Sequence, residues 1–366
     1  MLKRLFLLGL ICSFLVLPVA ALADSIDPAD FSATLDVGES VTITKTVTID
    51  DAPPTAALVD VFFLFDTTGS MNPAIAAAKA SASDVLAGLS VYGNFNYGVG
   101  VYEDFPVNPY GATASDPLGP DTPYDQLLGI TGDVGAVDTT IGAIATGNGM
   151  DGPESQLHAL TEVASTTSWR EDTTRIVLWF GDAPGHEGDE PGYPGDDTTA
   201  STITALNDNN VTVVGLSYTS GGYPLGIDQT GQATAITGAT GGQLLSGATD
   251  PAALVALILS AVENVFDEYS NVTLQVQGDA SGVQVDIVPT DYTGDFTRET
   301  TETFDFEVTF TGLTPGTYDF DIEALVDGGI VATEDDLITV RGVPEPATML
   351  LLGTGLFGLA LLRRRD

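Results

Sequence analysis

The sequence predicts a doubly wound α/β domain with a mostly parallel sheet, inserted in or flanked by a β-sandwich. Three observations carry this expectation. From about Leu58 onward, apolar runs of strand length alternate with longer helical stretches, the pattern of a sheet with helices on its faces. The runs are apolar at consecutive positions, as in Phe62-Phe63-Leu64-Phe65, which suits parallel strands buried on both sides. On either side of this region the pattern changes to period two, in "VTITKTVTI" before it and in "VTLQVQ", "VQVDIV", "FDFEVTF", "TYDFDIEALV" and "LITV" after it.

The α/β region is expected over residues 57–268. Its strands are read at Leu58 to Phe65, Tyr97 to Tyr102, Arg175 to Phe180, Val211 to Tyr218 and Gln243 to Ser246. Its helices are read near Pro73 to Leu89, Val134 to Ala145, Glu154 to Ser165, Thr198 to Asn207, Gln229 to Thr237 and Pro251 to Asp267. Residues 269–342 read as sandwich strands separated by Gly, Pro and Asp turns. The β segment at 24–56 is too short to bury a face alone, so it is expected to pair with the C-terminal strands.

Both ends read as processing signals. Lys3 and Arg4 precede an apolar run to about Leu17 and the small-residue site Ala21-Leu22-Ala23, a secretory signal over residues 1–23 whose removal leaves Asp24 first. At the other end, Val343-Pro344-Glu345-Pro346 precedes an uncharged apolar stretch from Ala347 to Leu362 and the basic run Arg363-Arg364-Arg365. These 16 residues reach about 24 Å as a helix, enough to span a bilayer with snorkelling arginines. This tail resembles the PEP-CTERM sorting signal. The resemblance implies an exosortase as processing enzyme, a membrane contact only through residues 343–366 before processing, and a destination at the cell envelope, outer surface or extracellular matrix.

Acid dominates what lies between. The chain carries a formal net charge of −40. Setting aside Lys3, Arg4, Arg363 to Arg365 and Asp366 leaves 6 basic and 50 acidic residues, about −44. Such a field repels nucleic acid, which is excluded as a partner, and attracts divalent cations. Solubility alone also accounts for it. The only cysteine, Cys12, lies in the signal, so the exported part has neither disulfides nor thiolate chemistry.

The candidate site begins where the first strand of the α/β region ends. In "FLFDTTGSM" the apolar run gives way to Asp66, Thr67, Thr68, Gly69 and Ser70. In a doubly wound sheet this is where ligands bind, and one carboxylate with two hydroxyls offers hard oxygens suited to Mg2+ or Ca2+. The same residues read equally as a helix N-cap.

Here the chain resembles the von Willebrand factor type A domain, whose metal-ion-dependent adhesion site carries Asp-x-Ser/Thr-x-Ser. "RIVLWFGDAP" ends a later strand at Asp182, "NGMDGPES" places Asp151, Pro153 and Glu154 before a helix, and "YGVGVYEDFPVNPY" places Asp104 after the second strand. The last two are similar to integrin beta subunits. The resemblance implies that Thr68, Ser70 and Glu154 contact Mg2+, with Asp66 and Asp182 acting directly or through water. It further implies a neighbouring Ca2+ site of Asp104, Asp151, Pro153 and Glu154. Thr146 competes with Glu154 for completing the first site. Pro73 and Ala74 stand where integrins carry paired aspartates, so a third metal site is not expected. His158 falls inside a helix and reads as structural. His186 lies in "GDAPGHEGDEPGYPGDD", which reads as a solvated, Ca2+-binding rim, and it is the one candidate general base.

The function this implies is a non-enzymatic, metal-dependent adhesion or ligand-binding protein, whose cation takes an acidic group of a protein or extracellular polysaccharide. The rival readings are a structural matrix protein without metal-dependent binding and a metal-assisted hydrolase.

Overall fold

The computed structural model describes residues 24–115, 119–147, 149–219 and 222–342. The secretory signal and the sorting tail from Val343 onward lie outside the described residues. In chain order the strands are β1 (Ser25–Asp27), β2 (Asp30–Asp36), β3 (Ser40–Ile49), β4 (Ala57–Asp66), β5 (Gly93–Tyr102), β6 (Asp125–Thr131), β7 (Thr174–Gly181), β8 (Val211–Ser217) and β9 (Leu244–Ser246). They continue with β10 (Glu268–Gly278), β11 (Val283–Val288), β12 (Asp291–Thr297), β13 (Glu302–Gly312), β14 (Gly316–Val326) and β15 (Gly329–Arg341). The helices are α1 (Asn72–Leu89), α2 (Val134–Ala143), α3 (Gln156–Thr166), α4 (Thr199–Asp208), α5 (Gln232–Ala239) and α6 (Pro251–Val265).

Six strands form the α/β sheet in the order β6-β5-β4-β7-β8-β9. All neighbours are parallel except β6, which runs antiparallel to β5 at the edge. The chain starts at the central β4, works outward through β5 and β6, and then crosses to β7 on the other side. The reversal lies beside the C-terminal end of β4. Val59, Val61, Phe63 and Phe65 pack on one face with α1, α2 and α6. Phe62 and Leu64 point to the other, with residues of α3, α4 and α5. Gly98 and Gly100 on β5 lie over the Phe62 ring, where a Cβ would come within 2.5 and 2.8 Å of it. The apolar helix α1 is a core helix, with Ile75, Val85, Leu86 and Leu89 buried against the sheet.

The remaining strands form two sheets, β1-β3-β13-β11 and β12-β10-β14-β15-β2. β3 pairs antiparallel with β13 over ten positions, from Ser40 beside Thr311 to Ile49 beside Glu302. β2 runs parallel to β15 at the opposite edge. One apolar cluster joins the two sheets and draws Ile26, Leu35, Val47 and Ile49 from before the α/β region together with Phe304, Phe306, Phe310, Ile322 and Ile338 from after it. Lys45 is fully buried here, paired with Glu334 and with Asp336 at 3.1 Å. This body meets the α/β sheet at the end remote from the C-terminal tip of β4, for instance through the Ile330 N–H, which donates to the Asp172 carbonyl at 3.1 Å.

Candidate functional site

Asp66 is the last residue of β4 and is fully buried. The chain then turns sharply. The Thr68 N–H and its hydroxyl both donate to Asp66 Oδ1, at 2.8 and 2.7 Å. Ser70 Oγ donates to Asp182 Oδ1 at 3.2 Å and lies 3.4 Å from Thr68 Oγ1. Asp182 follows directly on β7, the neighbour of β4. Two adjacent parallel strands thus deliver Asp66 and Asp182, and the turn delivers Thr68 and Ser70 between them. Neither the short 3-10 turn at Gly69–Met71 nor α1 receives a side-chain cap. The hydroxyls are spent on carboxylates, so the helix-cap reading does not describe them.

Glu154 enters from the opposite side. It is 4% exposed. Its N–H donates to the Pro184 carbonyl, and its own carbonyl accepts from the His186 N–H, both at 2.9 Å. It therefore stands two residues before α3, in a bridge to Gly185, and not in the helix where its sequence position put it. Gly149, with φ at +80°, lies between Glu154 and Thr68: a Cβ there would sit 3.2 Å from Thr68 Cγ2 and 3.5 Å from Glu154 Oε1. Thr146 is directed elsewhere, its hydroxyl donating to Asn72 Oδ1 at 2.9 Å.

Buried carboxylates gathered this closely raise one another's pKa values. Burial, followed by the charge of Asp182, raises the Asp66 pKa to about 7 against the two bonds from Thr68 and one from the Asp182 backbone. Burial raises Glu154 well above the carboxylate range, and Asp66, Asp104 and Asp151 push in the same direction. Asp182 is also raised by burial. Asp66 Oδ2 is buried and has no hydrogen-bond partner, a costly state for a carboxylate oxygen. The donor set is all oxygen and fits a hard divalent cation.

Beside it lies a second cluster. Asp104 follows β5 and is fully buried. Its Oδ1 accepts from the Phe105 N–H at 2.6 Å and from the Tyr193 hydroxyl at 3.3 Å. Its Oδ2 and Asp151 Oδ2 each lie 3.4 Å from His186 Nε2. His186 is 4% exposed, and its Nδ1 lies 2.8 Å from Glu190 Oε2. Burial alone would lower the imidazole pKa, but Asp104, Glu190 and Asp151 outweigh it and bring it to about 9. Pro153 is half-buried in the same loop. His158 is engaged away from this point, its Nδ1 2.8 Å from Asp197 Oδ2.

Sequence reasoning did not find His186, Glu190 and Tyr193 as parts of this cluster. The acidic loop is solvated only along its outer part, where Asp189, Pro191, Gly192, Pro194 and Asp196 are exposed, while His186 at its start is buried. It folds back on itself through the Gly188 N–H donating to the Asp197 carbonyl at 2.7 Å, and Tyr193 stacks on the His186 ring at 4.4 Å.

Residues 54–217 match the family model of the integrin beta chain VWA domain, and residues 342–365 match the PEP-CTERM protein-sorting motif. Among solved structures, a von Willebrand factor type A protein from Catenulispora acidiphila aligns with 13% identity and a TM-score of 0.44, covering 86% of this chain and 72% of that one. Proximal thread matrix protein 1 from the mussel byssus aligns at 11% identity and a TM-score of 0.40, over 61% of this chain. A second structure of it, with a zinc-occupied MIDAS motif, aligns at 13% and 0.40. The chain spans about half the length of the mussel protein. No curated protein sequence matches it.

Proposed function

We propose, because residues 54–217 match the integrin beta chain VWA model and residues 342–365 the PEP-CTERM protein-sorting motif, that the chain is an exported adhesion protein of the cell envelope or extracellular matrix that binds its partner through a divalent cation. The observation that carries this reading is the buried, unpartnered Asp66 Oδ2 beside the run of oxygens from Thr68, Ser70 and Asp182. Mg2+ is the cation proposed for this place, with Thr68, Ser70 and Glu154 as direct ligands and Asp66 and Asp182 direct or through water. The ion supplies a Lewis-acidic position for a carboxylate of a protein or acidic polysaccharide. The residues fix the ion, and the surrounding loops choose the partner. A hydrolase is disfavoured because both nitrogens of His186, the one candidate base, face carboxylates within 3.4 Å. Processing by an exosortase at the sorting motif belongs to the same proposal.

The test is retention of the exported chain on a surface coated with polyglutamate, compared with a neutral dextran surface. Retention on polyglutamate in Mg2+, lost on adding chelator and lost in Ser70→Ala, is the expected result. Equal retention with and without chelator would leave the structural matrix reading in its place.

A further inference from the structure

We propose that Asp104, Asp151 and His186 form a second metal site that takes a first-row transition ion of the Zn2+ class, and not the Ca2+ implied by resemblance to integrin beta subunits. This goes beyond the adhesion reading and stands independently of what Asp66 binds. His186 Nε2 lies 3.4 Å from both Asp104 Oδ2 and Asp151 Oδ2, and the three ligand atoms lie within 4.8 Å of one another. Nε2 and Asp104 Oδ2 are both buried, and apart from their long mutual approach and that of Asp151 neither has a hydrogen-bond partner. With Nδ1 held by Glu190, Nε2 presents a lone pair, as the carboxylate oxygens do, and buried acceptors facing a common point without a donor suit a cation between them. Atoms bonded to one tetrahedral ion at about 2.0–2.1 Å stand roughly 3.3 Å apart, close to the separation of Nε2 from each carboxylate oxygen.

The spacing admits a cation, and the nitrogen selects its class. Ca2+ binds oxygen, whereas imidazole suits Zn2+ and its neighbours. Two further features are those of a transition-metal site. Glu190 Oε2 holds Nδ1 at 2.8 Å, which leaves Nε2 as the ligand atom and fixes the ring, as carboxylates do behind metal-bound histidines. Tyr193 and Tyr110 wall the ring in, at 4.4 and 5.1 Å between centroids. Three protein ligands leave a further position, on the side where Asp151 is one-third exposed. Proton-loaded His186 acting as the internal cation is the rival.

The sequence holds only two histidines, so the whole chain labelled with 15N-histidine gives a direct readout. Mg2+ and Ca2+ are kept in millimolar excess and Zn2+ is added to one equivalent. The His186 ring signals should move to those of a metal-bound imidazole while the His158 signals stay. Co2+ in place of Zn2+ should give the visible absorption of a four- or five-coordinate ion. That band should disappear in His186→Gln, persist in Ser70→Ala, and need a tenfold to hundredfold higher Co2+ concentration in Glu190→Gln. Unmoved His186 signals in the wild type, a Co2+ band removed by excess Ca2+, or a band retained in His186→Gln would each overturn the proposal.

Discussion

Residues 269–342, produced without the segment that precedes the α/β domain, are expected to be unfolded. β3 supplies the interior partner of β13 over ten paired positions, so its loss leaves β13 with an open edge. Ile26, Leu35, Val47 and Ile49 leave the shared core with it, each no more than 5% exposed. At about 1.5–3 kcal/mol for each buried aliphatic side chain, their combined contribution is comparable with the whole stability of a domain, about 5–15 kcal/mol. Removing Lys45 also leaves Glu334 and Asp336 buried without their cation. An amide NMR spectrum confined to the random-coil range and the absence of a cooperative melt are the expected results. A dispersed spectrum with a cooperative transition would show that the two β segments fold separately.

Arg298→Ala is expected to cost about 3–5 kcal/mol, the usual result of breaking one side of a buried ion pair. Its guanidinium meets both oxygens of Asp24, at 2.7 and 2.6 Å. It also donates to the carbonyls of Asp50, Ala52 and Phe266 at 3.0–3.2 Å. Asp50 and Ala52 lie on the path into the α/β domain and Phe266 on the path out of it, so one side chain ties both connections to the N-terminal strand. Arg298→Lys should recover little of the loss, because an ammonium cannot make the paired contact. Urea unfolding of the two variants measures this. A loss below about 1 kcal/mol in Arg298→Ala would mean that the junction is held by apolar packing alone.

What could be read in advance follows from how local the cause is. β4 is legible because a strand covered on both faces must be apolar at consecutive positions, and the change at Asp66 marks its end. Nothing in the sequence marks β6 as a strand. "DQLLGIT" is an edge segment whose first three residues are exposed, and its pairing with β5 is interrupted by two register shifts, so neither burial nor alternation marks it. The start of α3 was placed two residues early, since a Pro-Glu pair resembles a first helical turn, whereas Glu154 is held by a bridge to Gly185. His186 is hidden from a sequence reading for a related reason. A loop rich in Gly, Pro and acid reads as solvated, and only its return at Asp197 and the packing of Tyr193 bury the imidazole. Arg298 carries no local signal, because its partners lie up to 274 positions away.

If Asp66 belongs to a cation site, divalent metal must raise the melting temperature through it. The metal-free carboxylate keeps its proton up to about pH 7 when folded but releases it near 3.8 when unfolded. The unfolded chain therefore holds fewer protons across that window, and metal-free stability falls as pH rises through it. The full shift corresponds to about 4 kcal/mol. Mg2+ competes with the same proton, so its effect should be largest above pH 7 and fade toward pH 5. At a hundredfold excess over its Kd the ion adds about 2.7 kcal/mol, or roughly 5–10 °C for a domain of this size. This rise is expected for the wild type in Mg2+ relative to chelator at pH 8, and none for Asp66→Ala, whatever the metal-free melting point of the variant. The same Mg2+-induced rise in the wild type and in Asp66→Ala would contradict a cation site at Asp66.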